Sequence, residues 1–314
     1  MKIIAFEVRE DEREFFEKLK VEIILVNEKL TSSNISLCKG ADGVSILGMS
    51  KMNAEILDKL KELGIKKLST RTIGMDHIDV DYAEKIGISV GNSSYPPTSV
   101  AEFTIMLMLV VLRNYKPSIY RGQVNDFSLA GLRGRTLKHM TVGVIGTGQI
   151  GKCVIDLLSG FGCKIIAYDP YPIQDTDNLF EYVDLETLYK NSDIITIHAP
   201  YVKENHYFIN YEQIEQMKDG VIIINAARGE LINTQAVIKG IESEKIGGLA
   251  LDTIENESGL VHIDHKVNIL KNRDMAYLRQ FPNVVVTPHF AFYTDDATKN
   301  MVEKSILFLT ESSS

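Results

Sequence analysis

Residues 142–151 read VGVIGTGQIG, an apolar run of strand type that leads into a G-x-G-x-x-G motif. In this motif Gly146 permits the tight turn, Gly148 lets the backbone approach a pyrophosphate, and Gly151 allows a helix to pack closely on the strand. Gln149 and Ile150 open that helix, whose free N–H groups and partial positive charge attract phosphate. The stretch therefore predicts a dinucleotide site in a βαβ unit, with these five residues as candidate cofactor contacts.

A carboxylate follows at the place where a dinucleotide site needs one. Asp169 closes the next candidate strand, eighteen residues after Gly151. There its oxygens can accept hydrogen bonds from a ribose 2′-OH and repel a 2′-phosphate. The glycines alone could form an ordinary loop, but strand, helix and Asp169 together favour a nucleotide site. We expect NAD as the cofactor in preference to NADP.

The candidate strands fall into two series, separated by helical patterns. Short β-branched runs that alternate with helices predict crossover connections and parallel sheets, so we expect an α/β fold with two Rossmann-like domains. The second series is apolar throughout, which predicts a sheet buried on both faces. The candidate strands are residues 3–6, 23–26, 44–47, 67–70 and 88–91 in the first series, and residues 141–145, 164–168, 194–198, 221–224, 248–251 and 284–287 in the second.

The domain boundaries are expected near two helices. Thr98 to Arg113 is a helix-length apolar segment after Pro96 and Pro97, and we interpret it as a bridge between domains. An amphipathic stretch at residues 295–309 follows the last strand and can return the chain to the first domain. We predict one domain of residues 1–100 and 295–314, and an inserted NAD-binding domain of residues 101–294. The tail at 312–314 is expected to fray.

Length and composition limit the class of protein. A chain of 314 residues suits two domains, and 45% hydrophobic with 24% charged residues is typical of a globular protein. A net charge of -8 without a Lys/Arg run argues against nucleic-acid or anionic-membrane partners. The apolar segment 103–112 has about half the length that a helix needs to cross a bilayer, so we expect no membrane span.

Cysteine usage and the N-terminus indicate the compartment. Cys38, Cys153 and Cys163 form an odd set without metal-ligand spacing, so neither a disulfide framework nor a zinc site is predicted. The apolar run from Ile3 to Val8 passes directly into charged residues, unlike a signal peptide. We expect a cytoplasmic protein.

Three polar residues follow strands of the second series. Arg228 comes after the strand at 221–224, Glu257 lies five residues beyond Asp252 at the end of the strand at 248–251, and His289 follows the strand at 284–287. Parallel strands end at the crevice where an open α/β sheet binds its ligand, so these are candidate site residues. Taken singly, each has an ordinary explanation, namely a surface salt bridge for Arg228, a solvated loop for Glu257 and a turn for His289.

Taken together, three segments resemble the signatures of the D-isomer-specific 2-hydroxyacid dehydrogenases, namely NAARGELI at 225–232, LDTIENE at 251–257 and TPHFAFYT at 287–294. The resemblance covers almost the entire chain. In the first domain, IGMD at 73–76 looks like the family's substrate-carboxylate loop, and Tyr95 stands before the bridging helix. Within the family, the long segment 255–282 is similar to that of D-lactate dehydrogenases, including the vancomycin-resistance type.

The resemblance implies roles that agree with what reduction of a 2-oxo acid requires. Arg228 would hold the substrate carboxylate and polarise the carbonyl, because its planar fork binds two oxygens and stays charged. His289 would donate the proton, since histidine titrates near neutral pH, and Glu257 would orient its ring and favour the imidazolium. Asp252 is expected to hold the site or the cofactor. The remaining candidates are Ala227 for the cofactor and Gly74, Met75, Tyr95 and Phe292 for the substrate.

The resemblance also predicts an activity, NADH-dependent reduction of a small 2-oxo acid, with pyruvate to D-lactate expected first and a homodimer as the assembly. Two alternatives stay open, a dehydrogenase for bulkier acids such as 2-oxoisocaproate or phenylpyruvate, and a non-enzymatic NADH-sensing protein of the same fold. Phe290 stands where related D-lactate dehydrogenases usually carry a small polar residue, which puts the substrate in question. His262 and His265 have H-x-x-H spacing without an evident third ligand, so no metal is predicted.

Overall fold

The computed structural model describes residues 1–173 and 179–311, so the tail that we expect to fray lies outside the described residues. The chain divides into two compact units. The small unit comprises Met1–Pro96 and Tyr293–Ser314, and the large unit comprises Pro97–Phe292. The sequence predicts these boundaries between residues 100 and 101 and between residues 294 and 295.

Twelve strands form in the described residues, and all but one coincide with predicted strands to within two residues at either end. The exception is the two-residue strand β8, which is too short to produce a readable hydrophobic pattern. The strands are β1 (Lys2–Ala5), β2 (Glu22–Leu25), β3 (Gly43–Ile46), β4 (Lys67–Thr70), β5 (Ser89–Asn92), β6 (Thr141–Ile145), β7 (Lys164–Tyr168), β8 (Glu181–Tyr182), β9 (Ile194–Ile197), β10 (Val221–Asn225), β11 (Ile246–Leu251) and β12 (Val284–Val286).

Eleven α-helices lie between and after these strands in the described part of the chain. The apolar segment at 98–113 forms α4, and the amphipathic stretch at 295–309 forms α11, as the sequence predicts. The helices are α1 (Glu10–Glu17), α2 (Ala54–Glu62), α3 (Val80–Lys85), α4 (Thr98–Leu112), α5 (Tyr115–Gln123), α6 (Gln149–Ser159), α7 (Leu185–Asn191), α8 (Tyr211–Gln216), α9 (Thr234–Glu242), α10 (Arg273–Leu278) and α11 (Asp295–Thr310).

The small unit is built on a parallel five-stranded sheet in the order β2-β1-β3-β4-β5. Alternate residues of β1 enter different cores, because successive side chains of a strand point to opposite faces. Ile4 joins the cluster that contains Leu57 of α2, whereas Ile3 joins the cluster that contains Phe16 of α1 and Val302 of α11. The return of the chain in α11 thus completes the core of this unit.

The large unit is built on a parallel seven-stranded sheet in the order β12-β11-β10-β9-β6-β7-β8. Both faces are buried, as predicted: Ile223 packs in one core, and its neighbours Ile222 and Ile224 pack in the other. The chain leaves β6 toward β7 and later returns to β9 on the other side of β6. In open α/β sheets such a switch point marks the ligand crevice, outside the carboxyl ends of the strands.

None of the described helices is by itself long and apolar enough to cross a membrane. Helices α4 and α5 meet the criteria of length and hydropathy only when they are taken together, and their axes are bent by 67° with respect to each other.

Candidate active site

The glycine loop after β6 has a shape that side chains would disrupt. Gly146 has a φ of +93°, and a Cβ there would lie 2.7 Å from the backbone N of Ala199. A Cβ on Gly151 would lie 1.9 Å from the carbonyl O of Gly146. A Cβ on Gly148 would meet nothing within 4 Å, and α6 begins there without a side-chain cap. The loop therefore leaves open space in front of the helix N-terminus, where a pyrophosphate fits.

Asp169 lies directly after β7 and contacts the glycine loop. Its Oδ2 accepts hydrogen bonds from the backbone N (2.7 Å) and the Oγ1 (3.1 Å) of Thr147, whose hydroxyl also lies 2.7 Å from the hydroxyl of Tyr182. Gln149, exposed, and Ile150, half-buried, are the first residues of α6 beside it. A carboxylate that can accept hydrogen bonds from the ribose, next to a loop with room for a pyrophosphate, fits NAD. Sequence reasoning missed the contacts of Thr147 and Tyr182, because the β8 strand that carries Tyr182 was not predicted.

Arg228 lies on a loop whose conformation is held by the buried side-chain amide of Asn225. Asn225, the last residue of β10, is fully buried. Its Nδ2 donates to the carbonyl O of Arg228 at 2.8 Å, and its Oδ1 accepts from the backbone N of Ala227 at 3.0 Å. Sequence reasoning gave Asn225 no role of its own, although a polar residue at the end of an apolar strand was the available signal.

His289 and Glu257 form a direct pair across two loops of the large unit. His289 Nδ1 lies 2.6 Å from Glu257 Oε1, and the two side chains are 28% and 24% exposed. The ring is thus oriented by a carboxylate and is partly exposed. A histidine held in this way is suited to proton transfer.

Asp252 ties β11 to the loop that carries His289. The carboxylate is 1% exposed. Its Oδ1 accepts from Thr287 Oγ1 at 2.6 Å and from the backbone N of Phe290 at 3.1 Å, and its Oδ2 accepts from the backbone N of Ala291 at 2.9 Å. Both oxygens are therefore engaged by the protein, and the buried charge is satisfied by hydrogen bonds.

The aromatic residues after His289 occupy different positions. The ring of Phe290 packs edge-on against Phe103 of α4, with the centroids 4.8 Å apart. The ring of Phe292 lies 6.5 Å from that of His289 and 6.2 Å from that of His262. Phe292 is therefore the phenylalanine whose ring contacts the catalytic candidate.

The substrate candidates of the first domain lie in the small unit, separate from the unit that holds the catalytic candidates. Gly74 and Met75 share the turn after β4. Thr72 Oγ1 donates to the carbonyl O of Gly74 at 2.6 Å, and the carbonyl O of Met75 accepts from the backbone N of Ile78 at 2.9 Å. Tyr95 follows β5 and is half-buried.

The histidine pair with metal-like spacing makes separate contacts. His265 Nε2 lies 3.0 Å from the carbonyl O of Leu260, and His262 Nε2 lies 2.8 Å from the carbonyl O of His289. Within residues 1–173 and 179–311, no group of three or more His, Cys, Asp and Glu side chains is arranged to hold a metal ion.

Comparison with known proteins gives one family. Residues 105–291 match the family described as D-isomer specific 2-hydroxyacid dehydrogenase, NAD binding domain. The chain is 46% identical to an aromatic 2-oxoacid reductase of Clostridium sporogenes, over 99% of this chain and 96% of that protein. It is 40% identical to a D-lactate dehydrogenase of Lactiplantibacillus plantarum, over 98% of this chain and 94% of that protein. The structure of a D-2-hydroxyisocaproate dehydrogenase matches with a TM-score of 0.90 and 38% identity, covering 98% of this chain and 96% of that one.

Proposed function

The chain belongs to the D-isomer specific 2-hydroxyacid dehydrogenase family, and we propose that it reduces a 2-oxo acid to the D-2-hydroxy acid with NADH. It is thus an NAD-dependent oxidoreductase and not the non-enzymatic sensor that the sequence left open. The observation that carries the proposal is the 2.6 Å contact between His289 and Glu257. Reduction of a carbonyl needs a proton donor at the oxygen, and a histidine held by a carboxylate supplies one.

In the proposed reaction each side chain has a separate task. The guanidinium of Arg228 binds one carboxylate oxygen and the carbonyl oxygen of the substrate, which anchors the acid and polarises the C=O bond. NADH, when bound, supplies the hydride that adds to the carbonyl carbon. The carbonyl π electrons pass to oxygen, which takes a proton from Nε2 of His289. The neutral imidazole keeps Nδ1–H on Glu257 and is reprotonated from water after the product leaves.

The side chain of the substrate is the finer question. The sequence signatures favour pyruvate. The similarity to an aromatic 2-oxoacid reductase and to a D-2-hydroxyisocaproate dehydrogenase favours a larger acid. Phe290 is the residue that makes the substrate preference uncertain, and its ring packs against the ring of Phe103. We therefore rank phenylpyruvate and 2-oxoisocaproate first, and the similarity to D-lactate dehydrogenases keeps pyruvate as the second candidate.

The test is a substrate panel with analysis of the product. NADH oxidation is followed with pyruvate, 2-oxobutyrate, 2-oxoisocaproate and phenylpyruvate, and we expect kcat/KM for phenylpyruvate to exceed that for pyruvate. 2-Oxobutyrate, which is one methylene larger than pyruvate, should differ from pyruvate in kcat/KM by only roughly 10- to 200-fold. A higher value for pyruvate would restore the D-lactate assignment. Chiral chromatography should give the D-product, and an L-product would contradict the proposal.

We also propose that the protein is a homodimer that associates through the large unit. Three apolar side chains that follow α5 are strongly exposed, with Val124 at 74%, Phe127 at 80% and Leu129 at 85%. Exposed apolar patches of this kind mark association surfaces. Sedimentation velocity should show a dimer for the wild type and a monomer for Phe127→Asp/Leu129→Asp. Val267→Asp, which alters a valine that is 96% exposed elsewhere in the large unit, should remain dimeric.

A reducing, cytoplasmic location is proposed from the thiols. The three cysteines are free, and burial raises the pKa of Cys38 to about 12 and also raises the pKa values of Cys153 and Cys163. Protonated, partly shielded thiols suit a chain that forms no disulfide. Cell fractionation against a cytoplasmic marker tests this location.

A further inference from the structure

A second histidine lies against the catalytic loop. The segment between β11 and α10 brings the ring of His262 to 6.2 Å from the ring of His289. His262 Nε2 lies 2.8 Å from the carbonyl O of His289, at the distance of a good hydrogen bond. His265 makes its own contact, with Leu260. His262 is therefore engaged with the catalytic candidate and not with the other member of the H-x-x-H pair.

The backbone that receives this hydrogen bond is in an unfavourable conformation. His289 has a φ of +53°, in the left-handed region that non-glycine residues seldom adopt. Such a conformation persists only where surrounding contacts impose it, and it is frequent at functional sites. The structure therefore needs contacts that hold the peptide groups next to His289.

The peptide group between His289 and Phe290 is held from both ends. Its carbonyl O faces Nε2 of His262 at 2.8 Å, and its N–H donates to Oδ1 of Asp252 at 3.1 Å. The ring of Phe292 packs against both histidine rings. Glu257 fixes the imidazole, while His262 and Asp252 fix the peptide group from which it projects.

We propose that His262 is a positioning residue that donates its Nε2–H to the carbonyl of His289 and thereby fixes the direction of the catalytic imidazole. The inference rests on the proposed function of His289. A carbonyl only accepts, so Nε2 of His262 carries the hydrogen. The neutral Nε2–H tautomer and the imidazolium both meet this requirement, and the neutral Nδ1–H tautomer does not.

Two substitutions at one position separate the hydrogen bond from the volume of the ring. In His262→Gln the amide nitrogen replaces Nε2 as donor, whereas His262→Leu fills similar space without a donor. We expect kcat to fall about tenfold in His262→Leu, the scale of one hydrogen bond, and to stay within about threefold of wild type in His262→Gln. KM for NADH should be unchanged in both variants. His265→Leu is the matched control and should retain wild-type kcat.

The outcomes decide between positioning and other roles. In a His289→Gln background, His262→Leu should cause no further loss, because both changes act through the same imidazole. Equal losses in the Gln and Leu variants would reduce His262 to a packing residue. A rise in KM for the 2-oxo acid with unchanged kcat would make it a substrate contact. Either result overturns the proposal.

One measurement tests the hydrogen bond without turnover, so its failure is distinguishable from failure of the proposed function. In ¹⁵N-imidazole NMR spectra, His262→Leu should shift or broaden the resonances of His289, and His265→Leu should leave them in place. An unshifted His289 in His262→Leu would overturn the positioning role even if the wild type reduces 2-oxo acids as proposed.

Discussion

The cofactor loop and the catalytic loop lie at the carboxyl ends of strands in the same sheet but are built in different ways. The cofactor loop is contiguous, and its shape follows from three glycines within six residues, two of which have no room for a Cβ. The proposed catalytic site takes Arg228, Glu257 and His289 from the loops that follow three strands, β10, β11 and β12. The first site depends on backbone space, and the second depends on long-range side-chain contacts.

Two histidines in comparable positions show how much these contacts matter. His198 directly follows β9, and its Nε2 lies 2.9 Å from Thr196 Oγ1. Burial lowers the pKa of His198 to about 4, so its ring stays neutral at physiological pH. His289 follows β12 and lies against the carboxylate of Glu257. A position at a strand end therefore does not define the chemistry of a histidine, and the partner side chain does.

The largest effect is expected at the catalytic loop. His289→Gln should lower kcat by about 10² to 10⁴, because the proton donor is lost. The Kd for NADH should remain near that of the wild type, since the residues that fit the cofactor lie on other loops. Stopped-flow reduction and fluorescence titration measure the two quantities. A variant that keeps near-normal kcat would exclude His289 from proton transfer.

The next prediction concerns the glycines of the cofactor loop, where Gly151 and Gly148 should respond differently. A Cβ on Gly151 would lie 1.9 Å from a carbonyl oxygen, so Gly151→Ala should lower the free energy of unfolding by about 1 to 3 kcal/mol and weaken NADH binding. Gly148→Ala has open space, so it should weaken NADH binding with an unchanged Tm. Calorimetry of both variants makes the comparison, and an equal loss of stability in both would contradict it.

The sequence predicted the features that depend on local pattern. A few neighbouring residues are enough to predict the glycine loop, the place of Asp169 at a strand end, and the helices α4 and α11. Apolar runs identified eleven of the twelve strands of the described residues. Much of what the sequence did not reveal depends on pairing across the fold. The contacts of Tyr182 with Thr147 and of His262 with His289 join residues that are 35 and 27 positions apart. The contacts of Asn225 are local, with residues two and three positions away, and depend on the conformation that its loop adopts.

A smaller effect is expected for the carboxylate partner of His289. Glu257→Gln removes the carboxylate that accepts from Nδ1 of His289 at 2.6 Å, so the ring loses its orienting partner and kcat for 2-oxo-acid reduction should fall by about tenfold, the scale of one hydrogen bond. Glu255→Gln is the control, because the carboxylate of Glu255 accepts from the backbone N of Thr234 at 3.0 Å, whereas that of Glu257 contacts His289. If the two variants give the same kcat, Glu257 does not orient the ring of His289 for proton transfer.

The smallest effect at neutral pH is expected at His198, and it concerns stability. Because the pKa of His198 is about 4 in the folded protein, against an ordinary value of 6.5 for an exposed histidine, the unfolded chain binds a proton first as pH falls. The stabilisation is fully present above pH 6.5 and is lost as pH falls toward about 4, by about 1.4 kcal/mol per pH unit. His198→Asn should therefore show a weaker loss of unfolding free energy between about pH 7 and pH 5 in urea titrations. His139→Asn, which changes an exposed histidine of the same unit, should keep the wild-type pH dependence, and equal slopes for wild type and His198→Asn would contradict a neutral His198 ring.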